Sequence, residues 1–542
     1  MAFSGSNYLN KDPATLRREA QTDAALRAKE EESAQRAALA VMAEHMLQPA
    51  TLHTFEIHGA RNTRRSFLDP IFQPLVDETR NVGTTLGDVF AEVQEAVGKL
   101  ERFGIFKPDP TVHFADARQR DPAAAATDYD IAVRVSELPR FRLNTGTDLG
   151  NTEGSAYGNL LWRNIFGGAE SLSLNASAGT RTRSAYSAVL SAPLEGNPDV
   201  RISVEGLASA TQKPWASHEE VLKSGTIRLG WYVPETGDMH SVAYGSAWRQ
   251  LTGLGAGASP SVRRDAGDSL KSSLSHTFTR DRRDNALLPQ RGYLVRTVSE
   301  LAGWGPLGGD VAFAKTEAEL SGAIPLAFPN LKASSSSSST PASISTPSIQ
   351  PVVDSGVTLS AGLRAGLLYP LPFGYNLFGG NAAPSRINDR FLLGGPTDVR
   401  GFTQGGLGPH DGSDAVGGDV FAAGGVNLLV PITKAGRDSP LRLQLFANSG
   451  RLVALRNKKP KTPQAEGGAP AATGLSSSQV AQSVSGALQD LATGLPSTAV
   501  GVGLVYAHPV ARFELNFSLP LVMRRGEESR KGLQVGVGIN FL

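Results

Sequence analysis

Phe513, Leu515, Phe517, Leu519 and Leu521 alternate with Arg512, Glu514, Asn516 and Ser518. Successive side chains of a strand point to opposite faces, so a period of two predicts a strand with one apolar and one wet face. The same alternation sets Leu533, Val535, Val537, Ile539 and Phe541 against Gln534, Gly536, Gly538 and Asn540. It returns at Val200, Ile202 and Val204, at Ile227, Leu229, Trp231 and Val233, and at Leu441, Leu443 and Leu445. About sixteen such segments recur between residues 139 and 542, centred near 144, 160, 174, 187, 204, 227, 244, 274, 296, 317, 362, 425, 446, 503, 516 and 537. A soluble sandwich also alternates, but this strand set has no break into separate domains and runs into Phe541-Leu542. An open terminal edge invites aggregation in water and is forbidden in lipid. The expectation is therefore a mainly β chain forming a sixteen-stranded antiparallel transmembrane barrel, its last strand paired back to its first.

Residues 48–138 read differently. His53–Ile57 is a short strand, and Phe67, Leu68, Ile71, Phe72 and Leu75 predict a helix distorted by Pro70 and Pro74,. Thr85 and Asp88 form a capping box ahead of Leu86, Val89, Phe90, Val93, Val97, Leu100 and Phe103, with Gly104 as the stop,. Strands near Thr111–Phe114 and Tyr129–Val135 complete a small α/β domain in the order strand, helix, helix, strand, strand. Residues 1–47, rich in Ala, Glu, Arg and Gln, are a solvated or disordered arm,.

Composition removes several function classes. Lys and Arg number 53 against 51 Asp and Glu, so the net charge of +2 gives no argument for nucleic acid,. Mean hydropathy is −0.17 and no run of 18 apolar residues exists, which argues against a membrane helix and leaves membrane strands untouched,. Cysteine is absent, so no thiolate can ligate a metal or act as a nucleophile,. HExxH, Walker A and GxSxG motifs are missing, and the nine histidines are scattered,. No catalytic residue, metal or cofactor is expected. No apolar leader is visible, and Asp12, Glu19 and Asp23 suit a cleaved mitochondrial presequence poorly,.

Three long segments interrupt the strands. Residues 332–355 carry a serine run, and 457–497 are rich in Gly, Ala, Pro, Ser and Thr, with a weak helix near Val480–Leu491,. Residues 372–418 hold Phe391-Leu392-Leu393-Gly394-Gly395-Pro396-Thr397-Asp398-Val399-Arg400-Gly401-Phe402. An arginine cannot shed its proton, so burying Arg400 demands fixed acceptors, while glycines allow close backbone approach.

Val399-Arg400-Gly401-Phe402 resembles the loop-six motif of the outer-membrane β-barrel assembly family. Asp281-Arg282-Arg283-Asp284-Asn285 and Leu288-Pro289-Gln290-Arg291-Gly292-Tyr293 resemble its mid-barrel strand and turn. Residues 48–138 are similar to one polypeptide-transport-associated (POTRA) domain. A single such domain without a visible leader is similar to the mitochondrial sorting-and-assembly branch. Where bacterial relatives place acidic residues facing the loop arginine, this chain has Asn448 and Asn427, so Asp419, Asn427 and Asn448 are the candidate partners of Arg400. The last strand is similar to the β-signal of the machinery's clients, with Gln534, Gly536, Ile539 and Phe541 at the polar, glycine and apolar positions.

The resemblance implies insertion and folding of β-barrel precursor proteins into the mitochondrial outer membrane, with the N-terminal domain in the intermembrane space. Partners would be those precursors, accessory subunits of a heteromeric complex and the lipid bilayer, with no nucleic acid. Clients would be templated at a lateral gate between the first strand, with Phe141, Arg142, Leu143, Asn144 and Thr145, and the last. A polypeptide-secreting pore of the same superfamily and a passive diffusion porin are the alternatives.

Overall fold

A computed structural model describes residues 33, 45–79, 84–150, 153–303, 308–326, 356–372, 381–432, 439–455, 475–508 and 511–538. Most of the N-terminal arm, the 332–355 segment, and the β-signal positions Ile539 and Phe541 lie outside these residues. The chain divides into two compact units, the first up to Pro139 with Phe166–Ala169, the second comprising the remainder.

The first unit holds β1 (Thr51–His58), α1 (Arg65–Thr79), α2 (Leu86–Arg102), β2 (Thr111–Asp116) and β3 (Asp128–Arg134). The sheet order is β1-β3-β2, with β1 parallel and β2 antiparallel to β3. This is the strand-helix-helix-strand-strand order read from the sequence. α1 is the expected helix, and it runs unbroken through Pro70 and Pro74. Each proline removes a backbone donor, but Leu68, Ile71, Phe72 and Leu75 are buried in the core, and that burial outweighs the loss,. The capping box of α2 is formed: Thr85 Oγ1 accepts from Asp88 N at 3.3 Å, and Asp88 Oδ2 accepts from Thr85 N at 3.0 Å.

Thr85→Ala should cost about 1 kcal/mol and speed hydrogen exchange in the first turn of α2. The Thr85 hydroxyl, with its backbone N–H, holds the Asp88 carboxyl below its ordinary range. This contribution is therefore present above the unfolded carboxylate pKa of about 3.9 and is lost as pH falls through the lower folded value. The same exchange measurement across an acid titration checks the sign.

Among the described residues of the second unit, sixteen strands form one antiparallel sheet, beside two small sheets of two-residue strands. They are β4 (Phe141–Gly150), β5 (Glu153–Arg163), β6 (Ser171–Gly179), β7 (Thr182–Leu194), β8 (Asn197–Lys213), β9 (His218–Val233), β10 (Asp238–Thr252) and β11 (Gly267–Asp281). The second half is β12 (Gly292–Ala302), β13 (Phe313–Leu326), β14 (Val357–Pro370), β15 (Val420–Pro431), β16 (Leu441–Val453), β17 (Ser497–Ala507), β18 (Arg512–Val522) and β19 (Gly532–Gly538). All sixteen centres read from the sequence fall inside these strands. The alternation has the expected meaning on β18: Arg512, Glu514, Asn516 and Ser518 are buried, whereas Phe513, Leu515, Phe517, Leu519 and Leu521 are exposed on the outward face.

α3 (Ser477–Thr493) is longer than the weak helix expected at 480–491 and carries its own capping box from Ser476 and Gln479. Its Val480, Val484 and Ala487 pack on outward-facing Leu367, Tyr369, Val420 and Val453, so it covers part of the outer wall.

The seam differs from expectation. Each strand pairs with its neighbour from β4 to β19, yet among the described residues no ladder joins β19 to β4. The two strands nevertheless approach within 8 Å, Cα to Cα. Gln534 of β19 is turned into the lumen and bonded there.

Candidate functional site

The segment between β14 and β15, loop six, folds into the lumen. Phe391, Leu393, Val399, Phe402 and Leu407 form a buried cluster with Leu368, Phe421, Leu452 and Ala499 of the wall. This apolar packing fixes the backbone that carries Arg400. Gly401 lies at φ +87°, and a Cβ there would meet the Ala499 Cβ at 2.8 Å, so a larger residue would push the loop off the wall,.

Arg400 is fully buried. Its Nε donates to Glu514 Oε2 at 3.0 Å and its Nη2 to Glu514 Oε1 at 3.3 Å, a two-pronged ion pair,. Nη1 reaches Asn427 Oδ1 at 3.4 Å, and the guanidinium carbon sits 5.0 Å from the centre of the Phe446 ring,. Asn448, in the amide orientation that satisfies both its atoms, accepts from the Arg400 backbone N–H at 2.9 Å and donates to Ala499 O at 3.1 Å. Glu514 also accepts from Asn516 Nδ2 at 2.7 Å and is ion-paired with Arg512, whose Nη2 lies 2.5 Å from Oε1. A buried carboxylate met from three sides holds its position at little further cost.

Two of the three candidate partners, Asn427 and Asn448, thus stand at Arg400. Asp419 does not serve as its charge partner: its carboxylate accepts from Ser385 Oγ at 2.5 Å and Leu455 N at 2.9 Å. It sits immediately before β15, at the end of the loop region, and ties Ser385 down there. The true partner, Glu514, was visible as the one carboxylate on the polar face of β18. Sequence order gave no reason to bring positions 400 and 514 together.

Loop six has further anchors that the sequence did not signal. Asp389 accepts from Arg249 of β10 at 2.5 and 3.3 Å, both groups buried. Asp398 accepts from Arg364 of β14 at 3.1 Å. The loop is therefore tied to the wall at β10, at β14 and at β18.

The motif also grips the last strand. Gln534 Oε1 accepts from Gly401 N at 2.9 Å, and Gln534 Nε2 donates to Phe402 O at 3.2 Å. Arg530 N donates to Gly401 O at 2.9 Å, and Thr403 N to Glu528 O at 3.1 Å, so the β18–β19 turn lies along the motif. Of the other last-strand candidates, Gly536 pairs with Glu514. The first-strand candidates lie apart from this network. Phe141, Arg142, Leu143, Asn144 and Thr145 pair with β5, and Phe141 stacks on Trp162 at 5.1 Å. Phe141 and Leu143 face outward and are exposed. The 281–293 stretch closes the β11–β12 turn: Asp284 Oδ1 accepts backbone N–H groups of Asn285 and Gln290, each at 2.9 Å, and Asp281 pairs with Arg283 at 2.8 Å.

Residues 164–541 match the Omp85 superfamily domain. The chain is 36% identical over 504 residues to the SAM50-like protein of Schizosaccharomyces pombe, covering 93% of each chain. It is 31% identical over 460 residues to the human sorting and assembly machinery component 50 homolog, covering 84% of each. Among solved structures, BamA from Haemophilus ducreyi lacking POTRA domains 1–3 has the same fold, with a TM-score of 0.64 at 15% identity, covering 90% of this chain and 84% of that one. With its sixteen strands and its α/β POTRA-type domain, the chain belongs to the Omp85 superfamily, among the sorting and assembly machinery 50 homologues.

Proposed function

We propose that this chain inserts and folds β-barrel precursor proteins in the mitochondrial outer membrane, templating their strands at the seam between β4 and β19. The observation that carries the reading is the seam. Two adjacent strands share no ladder among the described residues, and one of them is held by a buried loop-six motif. Each ladder bond contributes about 0.5–1.5 kcal/mol net in water, and each unpaired group in lipid costs several. A seam without rungs opens cheaply, and an arriving strand satisfies the freed groups by β-augmentation. Closure and release of the client then follow from burial of its apolar face in lipid. The work is hydrogen-bond exchange between strands, not bond chemistry.

A passive porin needs an open lumen, whereas loop-six side chains pack against the wall here. We place the first unit in the intermembrane space, where it would hand clients to the barrel alongside accessory subunits of a heteromeric complex. Deleting residues 48–138 should slow client handover more than it destabilises the barrel, because each unit has its own core,. The deciding experiment is to deplete the protein and follow radiolabelled precursors. Other barrels should stop assembling while helical membrane proteins still insert; unaffected barrel assembly would sink the reading.

A further inference from the structure

The outward wall carries an apolar groove of ≈ 960 Å³ that runs across the strands from β4 to β11. Its lining follows two neighbouring cross-strand rows. One row sets Ala188, Gly206, Gly225 and Ser246 side by side on β7 to β10. Alternation puts this row on the outer face, because Glu205 and Arg228, on the opposite face, bond to each other at 2.9 Å on the polar lumenal side,. The next outward row, with Leu190, Val204 and Ile227, is bulky and exposed. The wall therefore steps inward at the two glycines. A Cβ added at Gly206 or Gly225 would meet nothing within 4 Å, so the floor of the groove is open.

Neither glycine has a backbone reason to be there. Both lie outside the left-handed region, and the register through them is unbroken. A strand-interior glycine that makes no bend or bulge marks the close approach of another molecule. The second row gives the groove its chemistry. Tyr186, Lys223 and Trp248 line it on the side of the β8–β9 turn, with Ala208 between Tyr186 and Lys223. The Lys223 ammonium stands 5.1 Å from the centre of the Trp248 ring and has no carboxylate partner among the described residues. About ten residues separate Lys223 from the end of β9 at Val233, the length of strand that crosses the hydrocarbon,. Lys223, Tyr186 and Trp248 therefore stand at headgroup level, where an aromatic girdle and a snorkelling lysine belong.

We infer that the groove holds one anionic phospholipid: an acyl chain lies over Gly206 and Gly225, and the headgroup phosphate meets the Lys223 ammonium. Charge complementarity selects this occupant. A cation on a face turned to lipid finds an anionic headgroup there, whereas an apolar protein surface laid over the groove would bury it unpaired. The site stands apart from the seam reading. Leu143 of β4 lines one end of the groove, so the lipid borders the first strand, but no strand exchange is needed for it to bind.

The full-length protein is reconstituted in nanodiscs of phosphatidylcholine and phosphatidylglycerol with the same acyl chains, and native mass spectrometry counts the lipids that stay bound on release. One phosphatidylglycerol per barrel should be retained, about tenfold in preference to phosphatidylcholine, the scale of one charge-assisted contact. Lys223→Gln should remove that preference and leave retention of phosphatidylcholine as it was. Gly206→Leu, whose side chain has room on the wall and fills the floor, should cut retention of both lipids about tenfold,. Gly225→Leu repeats the test from the neighbouring strand, so one poorly folding variant does not decide it. A preference that survives Lys223→Gln, or retention unchanged by both leucines, would overturn the site. A photo-crosslinker in place of Ala208 tests the other occupants in the native membrane. It should give lipid adducts only; a discrete protein adduct would overturn the lipid and assign the groove to another subunit or a second copy of this chain.

Discussion

Arg400→Ala should reduce client assembly to near background while the barrel itself stays membrane-inserted. The guanidinium is fully buried and holds Glu514 with two bonds, so its removal strands a carboxylate in the wall. Breaking one side of such a pair costs about 3–5 kcal/mol. The sixteen-stranded ladder does not depend on that contact, whereas the hold of loop six on β15 and β18 does. Arg400→Lys should fail nearly as badly, because a point ammonium cannot serve both Glu514 oxygens and Asn427 at once. A double variant, Arg400→Ala with Glu514→Gln, separates the two effects. Thermal stability should recover, since no bare charge remains, and client assembly should not. Normal assembly of a radiolabelled client by reconstituted Arg400→Ala protein would show that the arginine is only a structural filler.

The strands were legible because lipid on one side and a polar lumen on the other impose the same period on all of them. Phe513 to Leu521 shows this in its cleanest form. The α2 helix was legible for a local reason: its cap, its apolar stripe and Gly104 lie within twenty residues of one another. What stayed hidden was long-range. Position 400 meets 514, 389 meets 249, and 401 meets 534 through a loop that enters the lumen, and no local pattern encodes that return. Asp419 was a candidate partner of Arg400, but its carboxylate is taken by Ser385 and Leu455, each more than thirty residues away along the chain. The continuous helix through Pro70 and Pro74 is a tertiary override, decided by the core beneath α1. That β19 and β4 share no ladder among the described residues could not be read from alternation, which marks both edges as strands and says nothing about whether they pair.

A disulfide across the seam should stop client insertion and restore it on reduction. The chain has no cysteine, so every thiol in the experiment is one placed there. Single cysteines are scanned over Arg142–Thr147 in β4 and over Gln534–Gly538 in β19. A bridge requires Cα atoms within about 7 Å, and the two strands already approach within 8 Å, so a subset of pairs should react,. Because no ladder among the described residues fixes one register, neighbouring registers should also react, more slowly; a closed ladder would give a single sharp set,. Once bridged, the free edge can no longer part to admit a strand, and insertion of a radiolabelled client should fall to background. Reductant should return it to the rate of the single-cysteine controls. A third arm places one cysteine in β19 and one in the client's terminal strand, which should form a mixed disulfide during insertion. Full-rate insertion through a quantitatively bridged seam would mean that clients enter elsewhere, and templating at β4 and β19 would have to be abandoned for a lumenal or lipid-side route.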